Sequence, residues 1–278
     1  MQQPTEGGHS QPVSVRDAAI LGVLHGPAEL LPISSSGHVT LVAWLTGMPY
    51  AELPSERRKS VEIALHAGTA LALALVPPVE GTRGPKGLRG AALRIGMLGP
   101  TAVAGLAARK VVREKLGSPA TISAGLVAGS IAMLATARSA GKRKAEDATV
   151  ADGFALGVSQ SVALWPGFSR SGAASVAARL RGFDGGEAAR LARTGLVTTS
   201  LAASSLEIGE AVASGRRNDD LQAVAVGAAT AFASAVIARP LATRLEKSGN
   251  IVPWAVWRLA LAAAAILRIR SLSEDANQ

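Results

Sequence analysis

The 278-residue sequence contains no cysteine. Disulfides and thiolate metal sites are therefore excluded, and the redox compartment is left unread. Charge is also scarce: Asp, Glu, Lys and Arg make up 18% of the chain, below the roughly 25% usual in soluble domains. The net charge of +9 sits in short basic clusters, Arg57-Arg58-Lys59, 83–94, 109–115, 138–144 and 239–247. Such clusters between apolar runs suit loops at an anionic lipid surface. They speak against nucleic-acid binding, which calls for basic residues gathered on one face. They do not orient the chain, because the run at 88–108 is flanked by basic residues at both ends. The opening MQQPTEGGHSQPVS lacks a basic segment followed by an apolar core, so no cleavable signal peptide is expected. Residues 1–13 and 271–278 are expected to be disordered tails.

Apolar residues make up 48% of the chain, and there are 30 glycines besides. Mean hydropathy is only +0.28, held down by the large share contributed by alanine. Six runs, at about 61–79, 88–108, 119–137, 188–213, 221–238 and 251–267, approach the roughly 17–25 residues a helix needs to cross a bilayer. Most are rich in Gly, Ala, Ser and Thr, which let helices approach closely in lipid. A soluble alanine-rich bundle is the competing reading, and the six runs count against it.

Two further apolar segments are broken, and they are broken alike. GVLHGPAELLPISSSGH (22–38) returns as GVSQSVALWPGFSRSG (157–172) at an offset of 135 residues, which places Ser34-Ser35-Ser36-Gly37 on Ser169-Arg170-Ser171-Gly172 and Gly47-Met48 on Gly182-Phe183. Neither half of either segment is long enough to span alone. Proline at 27 and 32, and again at 166, argues against one regular helix through each. Irregular backbone at membrane depth is tolerated only where protein or a water-filled cavity covers it. Each copy is therefore expected to be a re-entrant helix-turn-helix, with helices at about 150–165 and 172–181 in the second. A matched pair of broken segments points to a binding site at the interface of inverted repeats. The expected architecture is one all-α integral membrane domain over 1–278. It combines inverted repeats (about 15–137 and 150–269), two re-entrant segments and about six transmembrane helices.

Glu29 lies inside the apolar LHGPAELLP, where an ionisable group is costly and points to function. His25, four residues earlier, shares its helix face if the Gly26-Pro27 step leaves the helix intact. Ser34, Ser35, Ser36 and Gly37 offer hydroxyls and free backbone N–H groups suited to an anion such as phosphate. An ordinary serine N-cap is the simpler alternative. His38 follows Ser35 by three residues, a spacing that lets a nucleophile and a proton carrier meet. Arg170, between Ser169 and Ser171 and ahead of Gly172, carries a guanidinium able to hold phosphate oxygens bidentately. Two serine-rich helix N-termini would then aim their positive ends at one anion. Glu62 and His66 in VEIALHAGT read as helix-packing polar residues. Glu207 and Glu210 read as interfacial, and Arg258 beside Trp254 and Trp257 as an interface anchor.

These residues resemble the undecaprenyl-pyrophosphate phosphatase family of the bacitracin-resistance type. Its signatures, E-x-x-x-E followed by P-I-S-S-[ST]-G-H and then P-G-x-S-R-S-x-x-T, stand here as HGPAELLPISSSGH and PGFSRSGAA. The likeness extends to LHAGTALALAL and VPWAVWRLALAAA. The resemblance implies hydrolysis of a polyprenyl diphosphate to the monophosphate and phosphate, assisted by Mg²⁺ or Ca²⁺. It implies a site facing outward from the bacterial cytoplasmic membrane, with the lipid and the membrane as partners and a homodimer left open. It carries over Glu29, Ser35, His38 and Arg170 as catalytic, with Ser34, Ser36, Gly37, Ser169, Ser171 and Gly172 binding substrate and Glu29 with His25 as metal ligands. Two positions depart from the pattern: His25 replaces the first Glu, and Ala174 replaces the terminal Thr. Imidazole in place of carboxylate weakens a Mg²⁺ site or shifts it toward softer ions. A lipid-phosphate transporter without hydrolysis is the alternative function, and a non-catalytic membrane scaffold the third.

Overall fold

A computed structural model describes residues 12–75, 85–139, 141–213 and 220–276. Among the described residues, ten α-helices run in two sets of five with the same order. The first set is α1 (Val15–Leu30), α2 (Ser35–Leu45), α3 (Ser55–Leu75), α4 (Gly87–Lys115) and α5 (Pro119–Thr136). The second is α6 (Val150–Val162), α7 (Arg170–Leu180), α8 (Gly185–Ala213), α9 (Leu221–Lys247) and α10 (Val252–Asp275).

The repeat in the sequence is a repeat of local chemistry. Ser14 and Thr149, 135 residues apart, cap α1 and α6 by accepting from the backbone N–H of Asp17 and Asp152. After each first helix the chain turns, and a serine at positive φ, Ser34 (76°) or Ser169 (74°), opens the next one. Each of these serines accepts from the N–H of a glycine three residues on, Gly37 (3.4 Å) or Gly172 (3.2 Å). Each second helix ends at a left-handed glycine, Gly47 or Gly182, a conformation that costs other residues about 1 kcal/mol or more. One expectation fails in detail. Pro27 does not end α1, which continues to Leu30. A proline removes one N–H, but the neighbouring ladder persists, with Leu31 N donating to the Pro27 carbonyl at 3.0 Å.

The two sets are interlocked. α1 packs along α9, and α6 packs along α4, so each broken pair leans on the fourth helix of the other set. Small residues allow this closeness. A Cβ on Gly26 would collide with Ser234 and the backbone of Ala235, and one on Gly157 with the carbonyls of Gly96 and Met97. α5 and α10 pack against each other.

Polarity is arranged inside out. Leu88 (91% exposed), Ile95, Val103, Ile237 and Leu267 project outward, whereas His25, Glu29, Thr69, Gln160 and Arg258 are buried. An apolar exterior of this extent requires lipid rather than water, which removes the soluble-bundle reading. Among the described residues, four helices are long and apolar enough to cross a membrane, within α4, α5, α9 and α10. The other two expected spans are helical, as α3 and α8, although 76–79 lies outside the described residues. They fall short in apolarity because they line the polar interior with His66, Thr69, Thr199, Ser200 and Ser204. The expected tails are corrected in part. Residues 1–11 and 277–278 lie outside the described residues. Val13 is buried, its N–H donating to Asp220 at 2.9 Å, and residues 271–275 continue α10. No Gly or Pro follows Pro253 to stop that helix.

Candidate active site

The two turns meet in the interior. The Ser171 hydroxyl donates to the Leu31 carbonyl at 3.4 Å, and a Cβ on Gly37 would lie 3.3 Å from the Gly167 Cα. Between them lies Glu29, 4% exposed. Its Oε1 accepts from Arg170 Nη2 at 2.7 Å and from the Ser200 hydroxyl at 2.9 Å, and its Oε2 accepts from the Ser35 hydroxyl. Glu29 stands at the end of α1, Ser35 opens α2, and Arg170 opens α7. The site is therefore assembled from both copies of the repeat, and the ion pair bridges them. A buried carboxylate is stable as an ion only with such partners.

Pro27 leaves α1 regular enough for His25 and Glu29 to share a face. His25 Nδ1 lies 2.9 Å from Thr69 Oγ1 on α3. His66, one turn earlier on α3, places its Nδ1 3.8 Å from Glu29 Oε2, and its ring meets that of His25 edge-on with centroids 4.5 Å apart. The ligand atoms of His25, Glu29 and His66 lie within 4.8 Å of one another. From the sequence, His66 reads as a packing residue; in the fold it belongs to the site.

His38 and Ser35 are not brought together. His38 Nδ1 lies 2.8 Å from the Ser34 carbonyl, which can only accept, so that nitrogen carries the proton. Its Nε2 accepts from Trp257 Nε1 at 2.7 Å. The imidazole is thus committed on both sides, and Ser35 turns to Glu29 instead. Ser34 and Ser169 act as helix caps, Gly37 and Gly172 supply the capped N–H groups, and Ser171 ties the second turn to the first. Nothing in the structure gives Ser36 a side-chain partner.

Arg258 corrects a sequence-based expectation. It is not an interface anchor but a fully buried guanidinium, 0% exposed. Its Nη2 donates to the carbonyls of Gly167 and Phe168 at 2.9 Å each, and it also reaches Leu126 of α5 at 3.3 Å. It thereby satisfies the open carbonyls of the second turn, immediately before Arg170. Neighbouring Trp257 does double duty, with 57% exposure and a bond to His38. The signal that could have found Arg258 is its setting, an arginine in the middle of an apolar span rather than at its end. Ser200, within LVTTSLAASS, offered no such signal.

Two serine-capped breaks bridged by a buried Glu–Arg pair set the site, and comparison of the sequence with known proteins gives its family. The family model described as bacitracin resistance protein BacA matches residues 18–264. The chain belongs to that family. Similar relatives include an undecaprenyl-diphosphatase from Sorangium cellulosum, 33% identical over 270 residues, covering 90% of this chain and 85% of the relative. One from Geobacter sulfurreducens is 30% identical, covering 92% and 98%, and one from Roseobacter denitrificans is 31% identical over 261 residues, covering 87% and 94%. With its apolar exterior and four spanning-length helices, the BacA-family chain is a multi-pass membrane protein.

Proposed function

We propose that the chain hydrolyses a polyprenyl diphosphate, undecaprenyl diphosphate by analogy with its relatives' names, to the monophosphate and inorganic phosphate. The reading places it in a bacterial cytoplasmic membrane with its site open to the outer side. The observation that carries the reading is the Ser35–Glu29–Arg170 chain between two helix N-termini. Both helix ends present free N–H groups and positive dipole ends to an anion. Arg170 uses one guanidinium nitrogen on Glu29 and keeps others for phosphate oxygens. Ser35 is already hydrogen-bonded to a carboxylate that can receive its proton.

The step then balances simply. The Ser35 oxygen forms a bond to the terminal phosphorus, its proton passes to Glu29 Oε2, and the bond from that phosphorus to the bridging oxygen breaks. The electron pair leaves on the lipid monophosphate, an anion stable enough to depart without a general acid. Water then hydrolyses the phosphoserine. Water held by the same two groups and attacking directly is the competing route, and acid-quench trapping of labelled phosphate on Ser35 separates the two. Positioning and charge neutralisation dominate this chemistry in either case. His38 acts as a positioning residue that fixes the first turn of α2. All of these residues come from one chain, so the reading needs no second copy.

The hard ions implied by the resemblance, Mg²⁺ and Ca²⁺, fit the donors poorly. They prefer oxygen ligands, and the cluster offers one carboxylate and two imidazoles. A divalent ion bound there would supply charge neutralisation to the phosphoryl oxygens. A transporter without hydrolysis would leave the Ser35–Glu29 bond without a task. The test is phosphate release in detergent. Arg170→Ala should lose turnover by at least about a hundredfold, and full retained activity overturns the assignment.

A further inference from the structure

We infer that His25, Glu29 and His66 form a site for a transition metal ion of borderline softness, of the Zn²⁺ or Co²⁺ type, and not for Mg²⁺ or Ca²⁺. The argument starts from one proton. Thr69 Oγ1 lies 3.1 Å from the Leu65 carbonyl, which can only accept, so the threonine spends its single proton there. Its contact with His25, 2.9 Å, is then a bond donated by His25 Nδ1. That assigns the neutral tautomer and leaves Nε2 with a lone pair.

This lone pair is buried and has no hydrogen-bond partner, on a side chain only 1% exposed. It belongs to the cluster whose ligand atoms converge within 4.8 Å. A histidine with one ring nitrogen donating to an oxygen and the other buried without a partner, in a cluster with a carboxylate and a second imidazole, has the hydrogen-bonding pattern of a metal-binding histidine. Glu29 divides its two oxygens. Oε1 is occupied by Arg170 and Ser200, while Oε2 accepts from Ser35 and faces His66, so an ion there shares that oxygen with the Ser35 hydroxyl. The carboxylate can therefore hold the guanidinium on one side and an ion on the other.

The second copy of the repeat serves as an internal control. At the offset of 135 residues His25 becomes Gln160 and Glu29 becomes Leu164; aligning Thr69 with Thr199 turns His66 into Leu196. Gln160 Oε1 still meets a threonine of the third helix of its set, as His25 does, at 3.0 Å from Thr199 Oγ1 on α8. The fold is thus built at this place without any of the three ligands, so their gathering in the first copy is not a packing requirement. Two imidazoles and one carboxylate select first-row transition ions over hard ions.

The inference deepens the phosphatase reading and rests on it for any role in turnover, but metal binding is measured without substrate. The metal-stripped full chain in detergent is titrated with Co²⁺, whose visible absorption reports nitrogen ligation. The expected result is one Co²⁺ per chain, displaced by equimolar Zn²⁺ but not by about a thousandfold excess of Mg²⁺ or Ca²⁺. His25→Gln and His66→Leu should each weaken Co²⁺ by at least about tenfold. Thermal unfolding confirms that each variant is folded, and His66→Gln replaces His66→Leu if the latter is not. Absence of Co²⁺ binding by the folded protein, equal competition by Mg²⁺, or a spectrum indifferent to both histidine variants overturns the site. A chain that binds Co²⁺ as expected yet releases no phosphate from a polyprenyl diphosphate upholds the site and sinks the phosphatase reading.

Discussion

The first copy of the repeat holds Glu29, Ser35 and both clustered histidines of the candidate site and the second contributes Arg170, although the two share caps, turns and helix order. Ser34 and Ser169 are conformational twins, with φ of 76° and 74° and the same bond to a glycine. The next residue differs. In the first copy it is Ser35, hydrogen-bonded to Glu29; in the second it is Arg170, paired with that same Glu29 from across the interface. The second turn is also held differently, because Arg258 fills its carbonyls from α10, while no guanidinium among the described residues does this for the first turn. The two helix ends thus share their caps and differ by single residues, one contributing Ser35 and the other Arg170 to the same carboxylate.

The largest effect should come from removing what only the second turn has. Arg258→Met leaves several buried carbonyls without a donor, at about 1–3 kcal/mol each. A loss of about 3 kcal/mol or more is expected in thermal or denaturant unfolding, with turnover falling because Arg170 is no longer held in place. An unchanged unfolding midpoint would show that the second turn holds itself. Next, Arg170→Ser makes the two copies alike at the decisive position. Turnover should drop at least about a hundredfold, and the midpoint should fall as well, because Glu29 loses its buried counter-ion at a cost of about 3 kcal/mol or more; retained turnover in the folded variant would reverse the roles given to the two copies.

Smaller effects probe where the copies should agree. Ser34→Ala and Ser169→Ala each remove a helix cap and should cost about 1 kcal/mol by similar amounts; a difference of several-fold would mean that one serine also binds substrate. Gly47→Ala and Gly182→Ala force a left-handed alanine and should cost about 1 kcal/mol each. At Gly47 nothing lies near the added carbon, so backbone strain alone is measured there.

Much of this was legible in sequence because it is local. The broken segments, their register, Glu29 within an apolar run and Arg170 between serines are all read within a dozen residues. Cap chemistry follows from residue type at fixed spacing: the serine N-cap that stands as the simpler alternative to anion binding at 34–36 is what Ser34 forms, and Ser169, read as substrate-binding, forms the same cap. His66, Ser200, Trp257 and Arg258 were not read as site residues, for one reason. Each arrives from a helix distant in the chain, and its meaning depends on packing. His66 in VEIALHAGT looks like one polar residue among helix-spaced neighbours until α3 lies against α1. His38 was misplaced for the converse reason: a spacing of three residues permits a meeting with Ser35, but Ser34 and Trp257 claim both ring nitrogens.

The interlocking of α1 with α9 also dictates an order of events as the chain is made. The Gly22 carbonyl accepts from the Ser234 hydroxyl at 3.0 Å, and the Val13 N–H binds Asp220, each across more than 200 residues. The helix bearing His25 and Glu29 is thus synthesised some 200 residues before its packing partner α9. Through most of synthesis Glu29 has no Arg170 and α1 has no α9. A ribosome halted between the two sets of five would leave an acidic helix end waiting for its counter-ion, so the nascent first half is a client for whatever shelters polar segments beside the bilayer until the second half arrives.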